Sequence, residues 1–105
     1  MKIAIPIWQG RISPVFDVAS QVLIVEVVDG QEKNRAQASL STEDPLERAK
    51  LLAILGVELL ICSRVSKTVE MALASQGIKV LQNISGEVEE VLKAYIDGNL
   101  DQEKG

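Results

Sequence analysis

The side chains with chemistry to offer fall in two stretches of this sequence. Arg11 stands early in the chain, and Cys62, Arg64 and Lys67 stand close together further on. Arg64 and Lys67 flank Ser66, a good helix N-cap, and the free N–H groups of a helix start favour anions. Two cations beside such a start, with Arg11 able to swing over the same place, suit an anionic ligand. The ordinary reading of the three is as solvated surface charges. Cys62 is either a single thiolate ligand, soft enough for a soft metal, or a small buried hydrophobe.

The inventory excludes several chemistries. No histidine is present, which rules out a Ser-His-Asp triad, a His-Cys couple and imidazole metal sites. One cysteine cannot make an internal disulfide or a four-cysteine site. The net charge of -4 argues against general nucleic-acid binding. That charge is uneven: Glu87, Glu89, Glu90, Asp97, Asp101 and Glu103 face only Lys93 and Lys104, so the preceding part is neutral and has room for a local basic pocket. The acidic last helix reads as a solvated face or a partner contact.

At 105 residues, 47% hydrophobic and 25% charged, the chain suits one globular domain, 1–105. No apolar run approaches the roughly 20 residues of a membrane span. The opening Met1-Lys2-Ile3-Ala4-Ile5-Pro6 is soon interrupted and is not a signal peptide, so the expected location is cytoplasmic, away from membranes.

Positioning these residues requires a set of elements. Lys2–Ile7 reads as a strand, Trp8–Ala19 as a loop, and Gln21–Val28 as a second strand ended by the turn Asp29-Gly30. Lys33–Leu40 is an edge-like third strand. A helix begins at Asp44-Pro45-Leu46-Glu47, with Asp44 as N-cap and Glu47 reaching back; Leu46, Ala49, Leu52 and Ala53 make its apolar stripe and Gly56 stops it. Val57–Cys62 reads as a strand buried on both faces. Ser66 caps a second helix with Val69, Ala72 and Leu73 inward, closed by Gly77, and Ile78–Leu81 is a fifth strand. Ser85-Gly86 opens a third helix carrying Val88, Val91, Leu92, Tyr95 and Ile96 at helical spacing. Asp101–Gly105 reads as a frayed tail.

The order β-β-β-α-β-α-β-α predicts an α/β protein: a five-stranded mixed sheet flanked by helices, with right-handed parallel crossovers in its second half. In such sheets ligands bind beyond the carboxyl ends of the parallel strands. If the first strand pairs parallel with the fourth, Trp8–Ala19, Ser63–Ser66 and Asn83–Gly86 meet there.

The stretches Met1–Pro6, Gly10, Ser13-Pro14-Val15-Phe16-Asp17-Val18-Ala19 and Val22–Val25 resemble the dinitrogenase iron–molybdenum cofactor biosynthesis family. Gly56–Cys62, Gln76–Val80 and Gly86–Leu92 are similar to its later pattern, so the resemblance covers nearly the whole chain. It implies a ribonuclease H-like motif and proteins that bind, carry or store metal–sulfur clusters. Some members carry nitrogenase cofactor precursors; the orange protein of sulfate-reducing bacteria holds a molybdenum–copper sulfide cluster without covalent attachment. This chain departs from the family in two ways. Cys62-Ser63-Arg64-Val65-Ser66-Lys67 replaces a glycine-rich turn, and histidines that serve cluster binding in some relatives are absent.

The resemblance implies an anionic cluster, of molybdenum–copper or iron–molybdenum type, held by cations and N–H donors. Its candidate contacts are Arg11, Ser13, Cys62, Ser63, Arg64, Ser66, Lys67, Asn83, Ser85 and Gly86. Simpler roles stand beside these: Phe16 as a core plug, Asp17 as a loop tie, Ser85 as the cap of the last helix. Trp8 covers a ligand, joins an interface, or packs on Pro6 or Pro14. A nuclease needs clustered carboxylates, normally one on the first strand, and Lys2–Ile7 has none. Neither a P-loop nor a dinucleotide fingerprint is present. The expectation is a non-enzymatic carrier whose partners are cluster donor or acceptor proteins. Its rivals are an interaction or regulatory module without a cluster, and a small-molecule anion binder.

Overall fold

The central strand carries apolar residues on both of its faces, and both are covered. In the computed structural model, which describes residues 1–100, β1 (Lys2–Trp8) has Ile3 and Ile5 in one core and Ala4 in the other. Continuous hydrophobicity is what a strand buried on two sides requires. On one side of β1 lies β3 (Gln21–Val28), antiparallel, and beyond it β4 (Gln31–Ser39), also antiparallel. On the other side lie β5 (Val57–Ile61) and β6 (Lys79–Leu81), both parallel. The order across the sheet is β4-β3-β1-β5-β6. The condition for the three loops to meet, β1 parallel to β5, is fulfilled, with Ala4 opposite Leu60.

The sheet has six strands instead of five. The stretch expected as a plain loop from Trp8 to Ala19 contains the end of β1, the two-residue strand β2 (Arg11–Ile12) and a 3-10 turn at Phe16–Val18. β2 pairs back onto β1 across a two-residue turn, a geometry too short to leave a periodic signal. The third predicted strand also starts earlier, at Gln31, because Asp29-Gly30 forms a tight hairpin with both φ values positive, 53° and 74°.

Helix α1 (Pro45–Ile54) starts as expected, with the Asp44 carboxylate accepting the Glu47 N–H at 2.9 Å and Pro45 in the first turn. The second half of the expected capping box is replaced: the Asp44 N–H donates to Thr42 Oγ1 at 3.1 Å. The buried stripe of α1 is Arg48, Ala49 and Leu52, while Leu46 is exposed. Gly56, at φ +82°, reverses the chain into β5. α2 (Lys67–Ser75) begins at Ser66, whose Oγ accepts the Val69 N–H at 3.2 Å. α3 (Val88–Ile96) has Glu87 at its N-cap, and Ser85 lies outside it.

α1 and α2 pack Ala49, Leu52, Val69 and Leu73 onto Ala4, Val22 and Leu60. α3 covers the opposite face with Val88, Val91 and Leu92 against Ile3, Ile5, Val25 and Ile61. Each of those three α3 side chains gains roughly 1.5–3 kcal/mol from burial, which explains why so short a helix holds. No helix among the described residues is long and apolar enough to cross a membrane. Asp101–Gly105, read as a frayed tail, lies outside the described residues.

Candidate functional site

The β1–β2 hairpin turns through Gln9 and Gly10, at φ 53° and 76°, the pair of positive values that a type I′ turn needs. Trp8 and Arg11 are directly opposite each other across it and so share one face. Beyond the turn the hairpin is tied to the third loop. The Ile12 N–H donates to Gly86 O at 2.9 Å and the Val88 N–H donates to Gly10 O at 3.0 Å, so the backbones of Arg11 and Glu87 pair as an isolated antiparallel bridge. Here is the reason Ser85 does not cap α3: the first-turn donor at Val88 is already taken by a carbonyl from the hairpin.

The second loop closes the set. Arg64 N donates to Pro14 O at 3.2 Å, and Phe16 N returns a bond to Arg64 O at 2.9 Å. Asn83 N donates to Ser63 O at 2.8 Å and Ile84 N to Cys62 O at 3.1 Å, joining the second loop to the third. The Asp17 carboxylate accepts the Ser66 N–H at 2.9 Å. All three loops therefore meet at the carboxyl ends of β1, β5 and β6, laced by backbone bonds.

Within this edge the candidate residues occupy different positions. Arg11, Arg64 and Lys67 are exposed and enter no ion pair among the described residues. Ser13 is buried, with its N–H bonded to Pro6 O at 2.9 Å. Ser63 and Gly86 are half-buried; Asn83, Ser85 and Ser66 are exposed. Asn83 holds a left-handed φ of 67° and Gly86 a φ of 116°, so the third loop turns at both. Of the donors at the head of α2, Ser66 N goes to Asp17 and Val69 N to Ser66 Oγ. The N–H groups of Lys67 and Thr68 remain as the orphans of that terminus.

Cys62 is fully buried among Ala4, Leu60 and Val69, with its thiol pushed up to about 12, first by burial and then by Glu70 and Asp17. At neutral pH it is a protonated, inert core residue, not a thiolate presented to the crevice. Trp8, by contrast, is 61% exposed, and Val18 is equally open. Packing of Trp8 on Pro6 or Pro14 is thus incomplete at most. Phe16 is a core plug and Asp17 a loop tie, as their simpler readings have it.

Sequence reasoning missed Arg48. Its guanidinium is buried and donates to Phe16 O at 3.1 Å and Ala19 O at 2.7 Å. The available signal was spacing: Arg48 stands one helical turn before Leu52, on the stripe that faces the core. It also missed a cavity of about 440 Å³ lined by Ile7, Gly10, Leu23, Arg35, Val88 and Glu89 among others. Arg35, on β4, holds Glu32 at 2.6 Å and Glu89 at 2.7 Å, so its charge is already matched by two carboxylates. That cavity touches the hairpin at Gly10 and shares no candidate cluster contact with the loop edge.

Fold and site together define a small mixed α/β protein whose chemistry-bearing loops gather at the carboxyl ends of three parallel strands. The chain belongs to the dinitrogenase iron-molybdenum cofactor family, whose sequence model matches residues 1–98. It is 27% identical over 107 residues to an uncharacterized protein of Methanocaldococcus jannaschii, an alignment that spans 97% of this chain and 91% of that one. Its structure is similar to that of the protein PH0822, with a TM-score of 0.91 at 21% identity, over 98% of this chain and 96% of the other. It is also similar to the apo form of the orange protein from Desulfovibrio gigas, with a TM-score of 0.78 at 24% identity, over 99% and 93% of the two chains. At such identities these two likenesses establish the shared fold.

Proposed function

We propose that this protein is a non-enzymatic, cytoplasmic carrier of an anionic metal–sulfur cluster, molybdenum- or iron–molybdenum-containing, received from and passed to partner proteins of cofactor assembly or storage. The ribonuclease H-like label belongs to the same reading. The observation that carries it is the gathering of Arg11, Arg64 and Lys67, exposed and outside any described ion pair, on one edge with the head of α2. The cluster is cargo here, and the donor set bears on how it would be held. Among the described residues no group of three or more His, Cys, Asp or Glu is placed to hold a metal ion, and Cys62 is buried. Long-range charge and N–H donors suit a sulfide surface, which accepts weak hydrogen bonds and needs no hard ligand.

A specific feature favours a second reading, an interaction module that no longer carries a cluster. Asp17 brings a carboxylate to the head of α2 and takes its Ser66 donor, while Trp8 and Val18 leave apolar surface open at the same edge. One titration separates the two. Apo-protein is titrated anaerobically with tetrathiomolybdate, with and without copper, and bound metal is measured after desalting. Stoichiometric retention in the parent and in Lys33→Ala, on the far edge strand β4, with loss in Arg64→Ala, supports the carrier and its site. Equal retention by the two variants removes the site, and no retention by the parent moves the reading to the interaction module.

A further inference from the structure

Arg48 is the one charged side chain buried among the described residues, 1% exposed. Taking a guanidinium out of water is costly, and an apolar side chain of similar size would fill the space without that cost. What the guanidinium does there is local. Nη1 donates to Phe16 O at 3.1 Å, Nη2 donates to Ala19 O at 2.7 Å, and the group lies over the Phe16 ring, 5.4 Å from its centroid. Its Nε is buried without a hydrogen-bond partner, so the residue is held for two carbonyls and a ring face, not for complete satisfaction. Glu43 and Asp17 are the carboxylates whose fields offset its burial.

The two carbonyls, Phe16 O and Ala19 O, stand at the start of the 3-10 turn Phe16–Val18 and just past its end, and two residues of that turn lead to the crevice. Phe16 N donates to Arg64 O, and Asp17 receives the Ser66 N–H at the head of α2. We propose that Arg48 is a positioning residue: from α1, behind the site, its fork clamps the first loop and thereby sets where Arg64 and the head of α2 stand. Lysine keeps the charge but offers no planar fork, so it cannot hold both carbonyls in one geometry. The effect on ligand retention rests on the carrier reading above; the effect on loop order does not.

The test compares the parent with Arg48→Lys by amide hydrogen exchange and by the tetrathiomolybdate titration. Losing one charge-assisted bond corresponds to about a tenfold change in an equilibrium. The expected result is about tenfold faster exchange at Phe16, Arg64 and Ser66, with Val91 in α3 unchanged, and about tenfold weaker tetrathiomolybdate retention. Exchange that rises equally at Val91 would reduce Arg48 to a general stabiliser, and unchanged exchange at the three loop amides would overturn the clamp outright. A parent that retains no tetrathiomolybdate removes the carrier reading alone, because the exchange comparison still decides the positioning role. If Arg48→Lys does not fold, Arg48→Met fills the same space and removes both donors; the same three amides must then loosen selectively, or the proposal fails.

Discussion

Asp17 Oδ1 accepts the backbone N–H of Ser66 at 2.9 Å, so the first loop places a carboxylate at the head of the helix that the second loop begins. The contact is stabilising, because it satisfies a donor at a helix start and places negative charge at the positive end of the helix dipole. It also sets an anion where an anionic ligand would approach.

Asp17→Ala therefore has two opposite effects. Stability falls by about 1 kcal/mol, the usual cost of losing a cap of this kind. Tetrathiomolybdate retention rises, because a like charge leaves the site. Urea unfolding and the metal titration read the two separately, and a fall in both would mean that the loop tie matters more to the site than the charge does.

Cys62 contributes a dependence of stability on alkaline pH. Its thiol is pushed from an ordinary 9.0 to about 12, so the folded state binds a proton that the unfolded state releases. The stability it contributes is complete below about 9 and is lost as pH rises from there toward 12. In the folded protein at pH 8 the thiol resists a disulfide reagent, and in urea it reacts at the rate of a free cysteine. Cys62→Ala keeps the parent's tetrathiomolybdate retention; loss of retention in a folded variant would return the sulfur to the site.

Arg35 joins the edge strand β4 to α3 through Glu32 and Glu89, holding both carboxyls below their ordinary 4.5. Lowered carboxyl values give stability that is present above about 4.5 and is lost as pH falls through the lowered values. All three groups are near the surface, so the effect is small. Arg35→Gln costs no more than about 1 kcal/mol at pH 7. Urea midpoints from pH 7 to pH 3 should show the parent and variant converging at the acid end, and a gap that persists at pH 3 would point to packing instead of charge.

Gln9 holds a φ of 53° in a turn whose other central residue is Gly10. Asn tolerates the left-handed region better than Gln, and Asn-Gly is the preferred pair for a type I′ hairpin. Gln9→Asn is expected to raise stability by about 0.5 kcal/mol, a gain of the size found for well-placed turn substitutions. Thermal unfolding checks it, and a lowered midpoint would show that the Gln9 side chain has a role of its own.

Much of the fold was legible in the residues themselves because the signals are local. Asp44 and Ser66 accept N–H groups three residues ahead, Gly56 and Gly77 take the positive φ that ends a helix, and the β-branched runs form strands. The loop edge followed from element order and the handedness of parallel crossovers, and the family from its opening motif. What escaped was set by contacts between residues far apart in sequence. Spacing from Leu52 puts Arg48 on the core side of α1, but what lets a charge sit there is the pair of carbonyls of Phe16 and Ala19, some thirty residues away in sequence, that accept from it. β2 exists because a two-residue turn returns the chain to β1, and α3 starts at Val88 because Gly10 O occupies its first donor. Local residues set where α1 and α2 begin and end, since those choices are made by hydrogen bonds spanning three or four residues. Which polar groups are spent and which remain open at the crevice depends on long-range packing, because each such bond closes a loop of dozens of residues and leaves no local pattern.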